Sequence, residues 1–178
     1  MTGNQDLRAR IRTIPDFPKP GIQFRDITTL LLDATALADT VERLAAAVTV
    51  PVDLVAGIEA RGFAFASPLA LHFGAGVLLI RKDGKLPGAT IAEEYALEYG
   101  TDRIAMHADA CAPGAHVLLV DDLIATGGTA RAAVRLLRKA GAEVRQAVFV
   151  IDLRDLGGAA RLTDDGVTVS SLVEYAGG

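Results

Sequence analysis

The stretch HVLLVDDLIATGGT, residues 116–129, decides the fold class. Val117, Leu118, Leu119 and Val120 form a short continuous apolar run, the pattern of a parallel strand covered on both faces. Asp121 and Asp122 follow where that strand emerges. Ala125, Thr126, Gly127, Gly128 and Thr129 make a turn of small residues. Residues 130–139 are helix formers, and Gly141 is a stop. The first amides of such a helix point into the turn, so backbone N–H groups and the helix dipole together make an anion site. Two carboxylates beside a phosphate cradle cannot serve the phosphate; they suit hydroxyls or a divalent cation. A sugar phosphate offers phosphate and hydroxyls in one molecule. Taken alone, the segment also fits an ordinary strand–helix turn with solvated Asp residues. It is neither a Walker A loop, since no GK[ST] follows, nor a Rossmann GxGxxG.

Working outward, strand and helix patterns alternate. Residues 33–48 read as an amphipathic helix with Asp33 as N-cap and Leu37, Val41, Leu44 and Val48 on one face. Residues 52–58 read as a strand, 62–73 as a helix ended by Gly74 and Gly76, and 77–80 as a strand. Residues 90–106 alternate as a hairpin or flap turning near Tyr99 and Gly100. Further strands fall at 144–151 and 167–173, and a short helix is expected at 6–13. This order predicts an α/β fold: a doubly wound, mainly parallel sheet with helices on both faces and a hairpin over the site. Ligands of such sheets sit at the carboxyl ends of the strands. Residues 58–61, 81–85 and 121–129 all fall there, so one crevice can collect them.

The bulk properties bound the function. The 178 residues are 51% hydrophobic, enough for one domain with a sizeable core. A formal net charge of −4 argues against broad nucleic-acid binding. The single cysteine, Cys111, excludes an internal disulfide and reads as inert. No run approaches the roughly 20 apolar residues of a membrane span, and no signal peptide is evident, so the expectation is a cytoplasmic protein without membrane or nucleic-acid partners.

Three other segments hold charge or aromatic groups at strand ends. In GIEARGF (57–63), Arg61 stands before a helix, where it suits pyrophosphate; a surface pair with Glu59 fits equally. RKDGKLPG (81–88) gathers Arg81, Lys82 and Lys85, either as a solvated basic loop or as counter-charge for pyrophosphate. In FPKPGIQFRDIT (17–28), Phe24 between polar neighbours before an apparent helix is either core or a platform for a flat heterocycle. His72, His107 and His116 lack metal-ligand spacing and read as structural.

FPKPGIxFRDIT, GxEARGF, RKxGKLPG, LEYGTD and VDDLIATGGT, in this order, resemble the adenine phosphoribosyltransferase family of the type I phosphoribosyltransferases, over residues 14–175. The resemblance implies that fold in a single domain (1–178), with an adenine-recognition segment at 14–30 and a flap at 82–106. It implies transfer of the 5-phosphoribosyl group of phosphoribosyl pyrophosphate to adenine, giving AMP and pyrophosphate, by a homodimer. Phe24 would stack on adenine while the backbone of Gln23 and Arg25 reads its edge. Arg61, Arg81, Lys82 and Lys85 would neutralise pyrophosphate. Asp121 and Asp122 would hold the ribose hydroxyls, and Ala125, Thr126, Gly127, Gly128 and Thr129 the 5′-phosphate. Glu98 would handle the purine proton, with Tyr99 in the closing flap. Mg²⁺ would arrive with the substrate and take no direct protein ligand. The family's pyrophosphate loop often carries a non-proline cis peptide, which falls here at Glu59–Ala60. A transferase for another purine base, or a non-catalytic sensor of phosphoribosyl pyrophosphate, are the alternatives; the Phe24 region discriminates the first, and the absence of a strong basic face disfavours the second.

Overall fold

A computed structural model describes residues 4–97 and 100–176. The chain runs α1 (Gln5–Ala9), β1 (Arg12–Pro15), β2 (Gln23–Asp26), α2 (Thr28–Leu31), α3 (Ala34–Ala46), β3 (Leu54–Ile58), α4 (Phe63–Phe73), β4 (Gly76–Lys82), β5 (Thr90–Leu97), β6 (Gly100–His107), β7 (Val117–Ile124), α5 (Gly128–Lys139), β8 (Gln146–Leu153), α6 (Gly158–Asp164) and β9 (Thr168–Tyr175). Seven strands form one sheet in the order β5-β6-β4-β3-β7-β8-β9. From β4 to β9 the neighbours are parallel, and the β5–β6 hairpin joins the β4 edge antiparallel. The chain leaves β3 in one direction to β4 and later returns on its other side as β7. The β3–β7 junction is therefore the topological switch point, where a ligand crevice opens at the strand ends.

Helices cover both faces, as the alternation of the strands requires. Ala56, Leu119 and Phe149 point toward the side of α5 and α6, while Val55, Leu118 and Val148 point toward α3 and α4. Every residue of β8 is buried. Each fully buried Leu or Phe side chain contributes roughly 1.5–3 kcal/mol, so these two apolar layers hold the sheet together. Asp33 caps α3 as expected, accepting from the amides of Thr35 and Ala36. The centre of that helix's buried stripe is Ala36, Thr40 and Leu44, with Leu37, Val41 and Val48 half-buried at its edge.

Two expectations needed correction. The helix expected at 6–13 ends at Ala9, and Arg12–Pro15 forms a strand antiparallel to Gln23–Asp26 with Ile14 opposite Phe24. Thr13 and Ile14 are β-branched and Pro15 lacks an amide, so this stretch suits an edge strand better than a helix. Phe24 accordingly sits on a strand. Strand β7 also outlasts its apolar run. Leu123 and Ile124 stay paired with Ile151 and Asp152, so Asp121 and Asp122 lie within the strand near its carboxyl end.

Candidate active site at the switch point

The loop after β7 needs glycine. Gly127 caps α5 with φ +82, and a Cβ on it would lie 3.0 Å from the Gly158 backbone. No side chain caps α5, and among the described residues the amides of Thr126 and Gly127 have no acceptor. Asp121 and residues 123–130 line a cavity of ≈ 170 Å³ at this helix start. Free amides and a positive helix end facing a small hollow are what an anion of phosphate size requires.

Of the acidic pair, Asp121 lines that hollow and Asp122 lies beside it in the chain. Asp122 is almost fully buried and Asp121 is half-buried, accepting the Asp122 amide at 2.8 Å. Burial raises the Asp121 carboxyl well above the ordinary range, and the neighbouring Asp122 charge adds to it. Burial also raises Asp122, against the opposing pull of Arg61. Asp122 Oδ2 has no hydrogen-bond partner among the described residues, although Arg61 Nε lies 2.9 Å away off the bonding direction. Two crowded carboxyls with unspent acceptor capacity would be relieved by hydroxyl donors or a cation.

Across the junction, β3 ends in the 58–62 loop. Its Glu59–Ala60 peptide is cis, at the position the family resemblance implies. Gly62 is forced by packing: a Cβ there would meet Ile58 O at 2.6 Å and Val120 O at 2.9 Å. Arg61 does not pair with Glu59. It turns to Asp122, and its guanidinium stands 5.4 Å over the Phe24 ring. Glu59 is taken instead by Arg81, at 3.1 Å through Nε and Nη2, and by the Lys82 amide at 2.9 Å. These bonds, Arg81 above all, hold the Glu59 carboxyl below its usual range. Arg81 also donates to Lys85 O at 3.0 Å, which folds the basic segment back along the end of β4. Lys82 Nζ lies 3.1 Å from Asp102.

Phe24 is half-buried and packs edge-on against Phe17 at 5.2 Å. Gln23 precedes it on β2. Arg25 donates to Thr13 Oγ1 at 2.6 Å and stacks at 4.2 Å on Tyr175, with Arg8 also 4.2 Å from that ring. Glu98 and Tyr99 lie outside the described residues; the hairpin that carries them pairs Leu97 with Gly100.

Several contributing residues had no signal in the sequence. Tyr95 on β5 is buried and donates to Asp102 at 3.1 Å, with Thr129 at the start of α5 also within its reach. Asp26 is buried, accepts the Thr28 amide at 3.0 Å and pairs with Arg12. Tyr175 ends β9, far in sequence from the arginines it joins. Of Tyr95, Asp26 and Tyr175, only Asp26 lies in a quoted motif, FPKPGIxFRDIT, and that motif pointed to Phe24. Among the described residues no group of three or more His, Cys, Asp or Glu is placed to hold a metal ion.

This geometry meets close relatives. Residues 28–172 match the model of the phosphoribosyl transferase domain family. An adenine phosphoribosyltransferase from Erythrobacter litoralis is 57% identical over 174 residues, covering 97% of this chain and 98% of that protein. The crystal structure of adenine phosphoribosyltransferase from Thermoanaerobacter pseudethanolicus superposes with TM-score 0.91 at 45% identity, covering 96% of this chain and 99% of the other. The Saccharomyces cerevisiae enzyme, crystallised with an imino-altritol bisphosphate and adenine, superposes with TM-score 0.87 at 35% identity, covering 94% and 97%. A glycine loop at a helix start, an acidic pair and an aromatic-faced arginine meet at one switch point, and by its similarity over nearly its whole length the chain belongs to the adenine phosphoribosyltransferase family.

Proposed function

We propose that the chain transfers the 5-phosphoribosyl group from phosphoribosyl pyrophosphate to adenine, forming AMP and releasing pyrophosphate, as a step of purine salvage. One observation carries the assignment of roles: Arg61 touches both Asp122, at 2.9 Å, and the face of Phe24, at 5.4 Å. Phe24, Arg61 and Asp122 are thus neighbours at the switch point, which supports roles for them as base platform, pyrophosphate cation and ribose acid. The yeast relative's crystallisation with adenine supports the choice of base.

In this reading the segment 14–30 recognises adenine. Phe24 stacks on the ring, and the backbone of Gln23 and Arg25 reads its edge. Residues 125–129 hold the 5′-phosphate through main-chain amides. Asp121 and Asp122 accept from the ribose hydroxyls. Arg61, Arg81, Lys82 and Lys85 receive the charge that grows on pyrophosphate as its bond to C1 breaks and the purine nitrogen bonds to C1. Glu98 takes the proton that nitrogen releases, and Tyr99 closes with the flap at 82–106, excluding water from the exposed sugar cation. Positioning and electrostatics carry the rate.

The acidic pair, whose Asp122 Oδ2 accepts no hydrogen bond and is faced by Arg61 alone among the described residues, fits a Mg²⁺ ion that keeps most of its ligands from substrate and water. When bound, that ion would neutralise pyrophosphate oxygens. The protein works as a homodimer. Val77 and Leu79 lie on the face of β4 beside α4 yet stay 42% exposed, and Leu71 of α4 is 83% exposed, a small apolar surface suited to a second copy. The lone Cys111 suits the reducing cytoplasm.

The test is to supply phosphoribosyl pyrophosphate, Mg²⁺ and each nucleobase, and identify the nucleotide formed. AMP from adenine alone is expected; IMP or GMP at a comparable rate would overturn the base assignment. Replacing Glu98 by Gln should slow single-turnover AMP formation by roughly 10²–10⁴-fold while adenine affinity changes far less.

A further inference from the structure

The phosphate loop is gripped from behind by the start of α6. Gly158 N–H donates to Ala125 O at 3.0 Å. Arg161 Nη1 donates to Thr126 O at 2.9 Å and to Leu156 O at 2.8 Å. Two successive loop carbonyls are therefore turned toward α6. In a trans peptide unit the N–H points opposite to the C=O. Turning the carbonyls of Ala125 and Thr126 toward α6 thus turns the amides of Thr126 and Gly127 away from it. Those are the amides without an acceptor among the described residues, in the loop that lines the cavity.

The approach is close enough to exclude other arrangements. A Cβ on Gly158 would lie 2.3 Å from Ala125 O and 2.6 Å from Gly127 N. Gly158 thus sets the distance between the two segments. Arg161, one turn along α6, sets the orientation of the last peptide before Gly127. Its single Nη1 bridges the phosphate loop and the turn at Leu156, so the loop cannot rotate that peptide without breaking a charge-assisted bond.

We infer that Arg161 is a positioning residue for the 5′-phosphate: it fixes the Thr126 carbonyl outward so that the Gly127 amide faces the anion. This rests on the reading of residues 125–129 as the phosphate loop. Arg161 itself is exposed, on the far side of the loop, and need not touch substrate.

The experiment compares the native protein with Arg161→Met, which keeps the length of the chain and removes the donors. Binding of ribose 5-phosphate and of inorganic pyrophosphate is measured by calorimetry, at low and at high salt. Arg161→Met should weaken ribose 5-phosphate about tenfold, the usual scale for one hydrogen bond from a charged group. Pyrophosphate binding should stay within about twofold, because its proposed cations lie at the ends of β3 and β4 and in the segments after them, away from α6. The KM for phosphoribosyl pyrophosphate should rise with little change in kcat. The tenfold ratio should survive at high salt, where a bare charge effect would be screened. Native ribose 5-phosphate affinity in Arg161→Met, equal weakening of both ligands, or a ratio that vanishes with salt would each overturn the inference. A native protein that binds pyrophosphate but no ribose 5-phosphate would instead sink the loop assignment, and the role of Arg161 with it.

Discussion

The glycine loop at 125–129 and the strand carrying Phe24, proposed to serve one crevice, are held in place by different means. The loop follows directly from a central strand and opens a helix whose inner face is buried. Its shape depends mainly on main-chain bonds and on glycine packing against glycine, with a single side chain, Arg161, bonded to one of its carbonyls. Strand β2 belongs to a separate two-stranded sheet. Within that hairpin Arg12 pairs with Asp26 and Phe17 packs on Phe24; toward the body it reaches by side chains, Arg25 to Tyr175 and Phe24 to Arg61. The contrast follows the ligands. In the proposed reading phosphate is bound by main-chain amides, so what must be held is the course of the backbone. A base must be placed against an aromatic face, and that face can be adjusted only through side-chain contacts.

The largest effect should come from damaging the backbone-held half. Gly127→Val adds a branched side chain at φ +82, with its Cβ 3.0 Å from Gly158. Phosphoribosyl pyrophosphate binding should fall by on the order of 10²-fold or more, the loss expected when a binding element is displaced by about 1 Å. Circular dichroism would check that the fold persists, and calorimetry the affinity. Near-native affinity in the folded variant would break the comparison, because the loop would then not depend on its main-chain shape.

Phe24→Ala should strike the other half alone. Stacking of a base on an aromatic ring is worth about 1–3 kcal/mol, so the adenine KM should rise roughly 5- to 150-fold while the affinity for phosphoribosyl pyrophosphate changes little. Equal losses for both substrates would mean that the Arg61 contact with Phe24 couples the halves more tightly than their supports suggest.

A smaller effect sharpens the point. Tyr175→Leu keeps apolar bulk but removes the ring between Arg8 and Arg25. Each lost cation–π contact is worth roughly 0.5–1 kcal/mol. Adenine KM should rise a few-fold and the melting temperature drop by a few degrees, with phosphate binding untouched. Unchanged adenine kinetics would show that the tail supports stability but not the base strand.

The smallest effect is confined to acid. Arg12, then the Thr28 amide, lowers the Asp26 carboxyl to about 2 from its ordinary 3.8. A lowered folded-state value stabilises the fold above the unfolded value and is lost as pH falls through the folded one. The stability gap between the native protein and Asp26→Asn should therefore be steady above about pH 4 and shrink toward pH 2. Urea midpoints across that range would check it. Because Arg12 is 56% exposed, salt should narrow the gap as well. A gap that widens in acid would mean that Asp26 acts through something other than its charge.

The two halves also differ in how far the sequence alone reveals them. The apolar run 117–120, the acidic pair and the small-residue turn are local features, and local periodicity and turn chemistry dictate what they become. The doubly wound sheet, the helix capped by Asp33 and the glycine turn that opens α5 were legible for that reason. The segment 12–26 was not. Its strands are short, its pairing is the only thing that makes them strands, and a helix was expected where β1 stands. The family motif pointed to Phe24, but residue chemistry alone left it between core and platform.

What only the tertiary structure decided are the choices between partners. Arg61 had Glu59 two residues away and took Asp122 from another strand, while Glu59 took Arg81. Tyr175 joined Arg8 and Arg25 from the opposite end of the chain. Arg161, unremarkable on a short helix, reached the carbonyl of Thr126. Charge and aromatic contacts have no period along the sequence. They are settled by which strand ends the topology brings within a few ångströms, and that proximity exists only once the sheet has formed.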